Sequence, residues 1–245
     1  MFRIPVMRGV IERRILANYR VDAERAARVL PAPFRPLLVK GHAVAGICLI
    51  RLGGIRPRFV PKWLGIGSEN AAHRIAVEWD DAGAVKQGVY IPRRDTSSRL
   101  NSLVGGRLFP GVHHHARFEV TESKQGVAVA LASDDGEVAV RVKGRVAAVW
   151  PGDSVFADLA EASKFFEAGS LGYSATRVAG RYDGLELRCE RWGVEALEVS
   201  EIQSSFFDDR ERFPAGSAVF DCALLMRNVR HEWHGRAEIC CGVEE

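Results

Sequence analysis

Cysteine is scarce in this 245-residue chain. Its five residues, Cys48, Cys189, Cys222, Cys240 and Cys241, are odd in number and show no CxxC spacing. That argues against a disulfide framework and fits reduced, structural thiols in the cytoplasm. No apolar run reaches the roughly 18 residues a membrane-spanning helix needs. The N-terminal stretch MFRIPVMRGVIERRIL is broken by Arg and Glu and lacks the apolar core of a signal peptide. No block of like charge occurs. The 34 basic and 31 acidic residues leave a net charge of only +3, spread along the chain. Neither a nucleic-acid partner nor a polybasic membrane contact is expected. There is no GxGxxG leading from a strand into a helix, no P-loop and no GxSxG, so no nucleotide cofactor is expected. Internal repeats, low-complexity segments and linkers are missing as well, which predicts a single domain over residues 1–245.

What is present is a series of alternating, β-branched stretches punctuated by Gly, Pro and Asp. They predict strands at about 43–52, 73–80, 86–94, 112–121, 126–133, 137–149, 175–182, 186–191, 196–207 and 218–229. Three helices interrupt them. Asp22 would cap the first from Ala23, with Pro31 and Pro33 ending it. Asp95 or Thr96 would cap the second, closed by Gly105 and Gly106. Asp153 or Ser154 would cap the third, closed near Gly169. With 47% hydrophobic content the chain can bury a substantial core. The predicted fold is mainly β (α+β), an antiparallel barrel or paired sheets with a few short helices.

The sharpest local feature is the triplet His113, His114 and His115. On a strand, His113 and His115 point to one face and His114 to the other. The HxH pair has metal-ligand geometry if Glu69 or His73 supplies a third group; the alternative is a strand edge with no ligand. Glu69, beside a strand, is a candidate general acid or base, or simply a surface turn residue. HEWHG, residues 231–235, is not an HExxH motif. The five tryptophans, Trp63, Trp79, Trp150, Trp192 and Trp233, read as core or pocket wall.

Taken in order, LPAPF, ENAAHRIAVEW and GVYIPRRDTSSRLNSLVGGRLFPGVHHHARFEV resemble the acetoacetate decarboxylase-like superfamily, over about residues 21–120. In the decarboxylases an acidic residue precedes a strand, and a helix then leads into Gly-Arg, Gly, an aromatic, Pro, Lys, Lys. Glu69 matches the acidic residue, Gly106 and Arg107 the Gly-Arg pair, and Gly111 the next Gly. Val112 stands for the aromatic and His113 for the Pro. His114 and His115 fall on the two lysines. The family's lysine forms a Schiff base with the substrate ketone, helped by a neighbouring cation. Histidine has no primary amine and cannot form that imine. The lysines present, at positions 40, 62, 86, 124, 143 and 164, do not fall at the motif.

The resemblance therefore implies a small-molecule pocket acting on a keto acid or other carbonyl or carboxylate compound. A lyase or hydratase would work there by proton transfer without a Schiff base. His114, Glu69 and Arg107 would act as base, acid and anion clamp, with His113 and His115 joining Arg107 in holding the ligand. Two alternatives stay open: a barrel that binds a small ligand without turnover, and a metal enzyme using the HxH pair. The resemblance also implies a homo-oligomer.

Overall fold

A computed structural model describes residues 5–100 and 111–241. Within them thirteen strands form one mixed sheet: β1 (Met7–Val21), β2 (Arg35–Pro36), β3 (Leu38–Val39), β4 (His42–Pro57), β5 (Ile66–Asp81), β6 (Ala84–Thr96), β7 (His113–Glu122), β8 (Gly126–Ser133), β9 (Ala139–Val146), β10 (Leu171–Ala175), β11 (Arg181–Cys189), β12 (Glu195–Ser204) and β13 (Ala218–Cys240). Helices α1 (Ala23–Val29), α2 (Leu159–Ala168) and α3 (Ser205–Asp208) interrupt them. The expected mainly β character holds. Most neighbours are antiparallel, but β6 pairs in parallel with both β7 and β10. Pairing runs from β13 through β1, β4, β5, β6 and β10 to β11, and β11 returns to β13, so this ladder closes on itself.

The centre of the molecule is β1, β4 and β5, and their sequences explain why. Runs such as AVAGICLI are apolar at every position, the signature of a strand covered on both faces. Odd-numbered residues, including Ile15, Ala17, Ile47, Leu49, Ile75 and Val77, enter one core with the inner residues of β7, β8 and β9. Even-numbered Leu16, Val44, Cys48, Ile50, Ala72 and Ala76 enter a second core with Phe156, Phe166 and Leu224. Period-two alternation thus sorts one strand's side chains between two interiors.

Charged residues also follow that alternation. Arg13, fully buried on the odd face, pairs with Glu69 and, at 3.3 Å, with Glu122. Helix α1 starts as expected, with Asp22 accepting from the Arg25 amide at 3.0 Å.

Several expectations need correction. Helix α2 is capped by Asp158, which accepts from the Glu161 amide at 2.8 Å, while Glu161 reaches back to the Ala157 amide. Asp153 and Ser154 lie outside it. Ser154 instead donates to Asp221 at 2.7 Å and anchors the incoming chain to β13. Asp95 and Thr96 end β6 rather than cap a helix, because β5 and β7 extend the ladder over them; Arg99 and Leu100 are helical, and the predicted helix from residue 101 on lies outside the described residues. Trp63 is 80% exposed, on a 3-10 turn (Lys62–Leu64) that stands off the sheet. Trp79 is core, as expected. Among the described residues no helix is long and apolar enough to cross a membrane.

Among the described residues, removing the Arg13 guanidinium would leave Glu69 with only Arg51, at 4.0 Å, and Glu122 with only Arg227, at 3.3 Å. Arg13→Ala is expected to lower unfolding free energy by about 3–5 kcal/mol in chemical denaturation, with Glu69→Gln restoring part of the loss.

Candidate functional site

The second interior is not filled. A cavity of about 110 Å³ lies between the even-numbered face of β1, β4 and β5 and strands β6, β10 and β11. Its wall is mostly aliphatic: Ile50, Leu52, Ile55, Ile91 and Leu187, with Trp233 from β13. Into it the alternation also delivers Arg14 from β1, Arg74 from β5 and Arg94 from β6.

Among the described residues none of these three arginines forms an ion pair, although the Asp183 carboxylate favours the charge on Arg94 from farther off. Their hydrogen bonds go to neutral groups. Arg14 Nε donates to Cys48 Sγ at 3.3 Å, Arg94 Nε to Ser174 Oγ at 2.8 Å, and Arg74 Nη2 to Asn18 Oδ1. Arg14 Nη1 and Arg74 Nε are buried with no hydrogen-bond partner. Arg74, only 4% exposed, also lies 4.8 Å over the Phe166 ring. Burial pushes Arg74 and Arg94 down to about 10, so both stay charged at neutral pH. Buried charge without a partner is costly, and such groups cluster where a ligand completes them.

His113 enters the same cavity. Its Nδ1 donates to the Gly111 carbonyl at 3.3 Å, which makes Nε2 the acceptor nitrogen. Burial, reinforced by Arg94, pushes its pKa down to about 3, so the imidazole is neutral. Gly111 sets the entry to β7: its φ is +82°, its amide donates to Asp183 at 2.9 Å, and a Cβ there would sit 2.5 Å from that of Ser174. Only glycine combines that backbone conformation with that approach.

The other predicted residues go elsewhere. His114 faces away from the cavity, with Nδ1 2.9 Å from Asp135 Oδ2. Burial alone would raise the Asp135 carboxyl, but hydrogen bonds from Ser133, the Glu137 amide and Arg93 hold it well below the usual range. The same Arg93 binds Asp95 at 2.8 Å and Glu137 at 2.9 Å, tying β6 to the β8–β9 turn. His115 Nδ1 meets Asp134 at 2.7 Å. Glu69 is on the odd face against Arg13, so it does not join His113 or His114. Arg107 lies outside the described residues. His113 and His115 do share a face, but His73 points across the other interior to Ser204 at 3.3 Å. Among the described residues no three His, Cys, Asp or Glu side chains are placed to hold a metal. None of the described lysines lines the cavity. In HEWHG, His231 is buried, Trp233 forms cavity wall, and His234 pairs with Glu232 at 3.1 Å.

Arg14, Arg74 and Arg94 escaped the sequence reading. A signal for Arg74 exists: with His73 it interrupts the apolar, doubly buried run from Ala71 to Val77, at the parity of Ala72 and Ala76. Arg94 gives none, because an irregularity near Ile75 and His73 shifts the β5–β6 register before it.

Comparison with known proteins agrees with this architecture. A model of the DUF2071 family, described as an uncharacterized conserved protein (COG2071), matches residues 10–220. No curated protein matches the chain significantly. Among solved structures, acetoacetate decarboxylase from Legionella pneumophila superposes with a TM-score of 0.62 at 10% identity, covering 95% of this chain and 87% of that one. An acetoacetate decarboxylase-like enzyme from Sphingomonas wittichii RW1 gives 0.59 at 12% identity, covering 98% and 94%. The enduracididine biosynthesis enzyme MppR complexed with pyruvate gives 0.58 at 10% identity, covering 98% and 91%. At these identities the likeness establishes the acetoacetate decarboxylase-like fold.

Three histidines are buried neutral: burial pushes His73 and His113 down to about 3 and His231 to about 4. Their folded values lie below the ordinary 6.5, so below that pH the unfolded chain binds more protons. Their contribution to stability is complete above about pH 6.5 and is lost as pH falls, by up to about 1.4 kcal/mol per pH unit for each. Denaturation at pH 7, 6 and 5 should show this slope, and His73→Gln should reduce it by one histidine's share.

Proposed function

The chain belongs to the DUF2071 family, and on that premise we propose that it is a small-molecule pocket protein whose cavity takes a keto acid and moves a proton on it without a Schiff base. One observation carries the reading: three arginines without ion-pair partners among the described residues and a neutral histidine converge in a cavity whose wall is otherwise mostly aliphatic. A carboxylate offers two acceptor oxygens and a negative charge, which suits guanidinium donors with open N–H groups. That a protein of the same fold has been solved with pyruvate supports this choice of ligand class.

In this reading Arg14 and Arg74 hold the carboxylate and Arg94 polarises the ketone oxygen. His113 Nε2 then removes a proton from the carbon beside the carbonyl, and the arginines stabilise the enolate that forms. Reprotonation from solvent completes an exchange. This gives His113 the acid–base role that the motif alignment gives His114. His114 and Glu69 would support the site indirectly, through the Asp135–Arg93 and Arg13 clusters. Arg107 keeps its proposed place as a further anion clamp through the motif alone. The finer assignment, lyase or hydratase, rests on how the enolate is consumed.

Two outcomes test this. Arg74→Met should weaken binding of pyruvate or 2-oxobutanoate about 10- to 100-fold in calorimetry, while raising the Tm of the ligand-free protein because an unpaired buried charge is gone. In D₂O the protein should exchange the C3 protons of 2-oxobutanoate, followed by NMR, and His113→Asn should slow that exchange at least about 100-fold. Binding without exchange in the unaltered protein would leave a ligand-binding protein without turnover.

A further inference from the structure

The cavity is chemically graded along its length. The order follows from the β4–β5 hairpin. Successive rungs pair Gly46 with Arg74, Cys48 with Ala72, Ile50 with Asn70, Leu52 with Ser68, and Ile55 with Ile66. Arg94 and His113 sit on the Ala72 rung through β6 and β7. Arg14 stands opposite Ile50, but its Nε reaches back to Cys48. Charge is thus gathered on the rungs farthest from the hairpin connection, where Arg74 is 4% exposed. The rungs nearest the connection carry Leu52, Ile55 and Ile66, and Ile66 is 40% exposed. The closed end is cationic and the open end is mostly aliphatic, with the neutral Ser68 and Asn70 also on its wall. Beyond the open end the connection itself carries Phe59 and Trp63, 81% and 80% exposed.

Resting on the keto-acid reading, we infer that the ligand is a monocarboxylate with an unbranched apolar tail, held carboxylate-inward, and not a short or two-ended acid. The carboxylate reaches Arg14 and Arg74 at the closed end, and the tail lies along Leu52, Ile55, Ile66 and Trp233 toward solvent. A second carboxylate on the tail would lie among Leu52, Ile55 and Ile66 with only the neutral Ser68 and Asn70 beside them, and among the described residues on those rungs no cation lines the cavity to meet it. The size is set by the volume. At roughly 10–15 Å³ per water-sized site, about 110 Å³ holds roughly seven to eleven non-hydrogen atoms. That matches straight-chain 2-oxo acids centred on 2-oxohexanoate.

The experiment is a calorimetric series on the full chain with pyruvate, 2-oxobutanoate, 2-oxopentanoate, 2-oxohexanoate and 2-oxoglutarate. Affinity is expected to tighten about three- to fourfold per added methylene up to 2-oxohexanoate. 2-Oxoglutarate should bind at least tenfold more weakly than 2-oxopentanoate. Ile66→Ser, at a half-exposed position that tolerates the change, should flatten the dependence on chain length. Equal affinities across the series, tight binding of 2-oxoglutarate, or an unchanged slope in Ile66→Ser would overturn the tail assignment while leaving the keto-acid reading in place. No binding by any acid would overturn both.

Discussion

Everything here depends on the register of three strands. Because β1, β4 and β5 are buried on both faces, each residue's parity decides which interior it enters. Slipping β1 by a single position would exchange Arg14 for a neighbour such as Ile15, and slipping β5 would exchange Arg74 for one such as Ile75. A slip of β1 would also carry Arg13 away from Glu69 and into the cavity. The penalty for such a slip is large because charges as well as methyl groups change environment. The same alternation that builds the two cores therefore guards the ligand pocket against misassembly.

The two sides of that alternation treat charge differently. On the odd face Arg13 is neutralised by Glu69 and Glu122 within the protein. On the even face three arginines are left to hydrogen bonds to a thiol, a hydroxyl and an amide. The first arrangement neutralises its charge within the protein, although Arg13 Nε has no hydrogen-bond partner. The second holds its guanidiniums ready at a cost in stability, the usual signature of a site whose last component is a ligand.

Much of the fold was legible in the sequence. Period-two stretches located most strands, and Asp22 located the start of α1. What failed has physical causes. Asp153 and Ser154 look like helix caps, but Asp221, some 67 positions away in the chain, captures Ser154 and leaves capping to Asp158. Strand β13 runs on to Cys240 through HEWHG because both β1 and β11 supply partners, and local sequence does not encode a partner. For the site, the alternation predicted within HHH was right, with His113 on one face and His114 on the other. Which face opened into a cavity depended on strands far along the chain. The arginines were harder to find because a charged residue in a strand ordinarily marks a solvated face, and here that face is enclosed.

Strand β13 has one more consequence. Its 23 residues pair with β1 at the start of the chain and with β11 and β12 nearer its own position, and its Trp233 forms cavity wall. The β1–β13 ladder joins residues more than 200 positions apart, as in Leu16 with Leu224. Contacts of that separation form late, since a long loop must close before they are gained. A chain still emerging from the ribosome can assemble the β4–β5–β6 hairpins and even bring Arg74 and Arg94 near each other. It has no enclosed cavity until the last strand inserts. Competence to bind is therefore a property of the finished topology, acquired in the same step that seals the sheet.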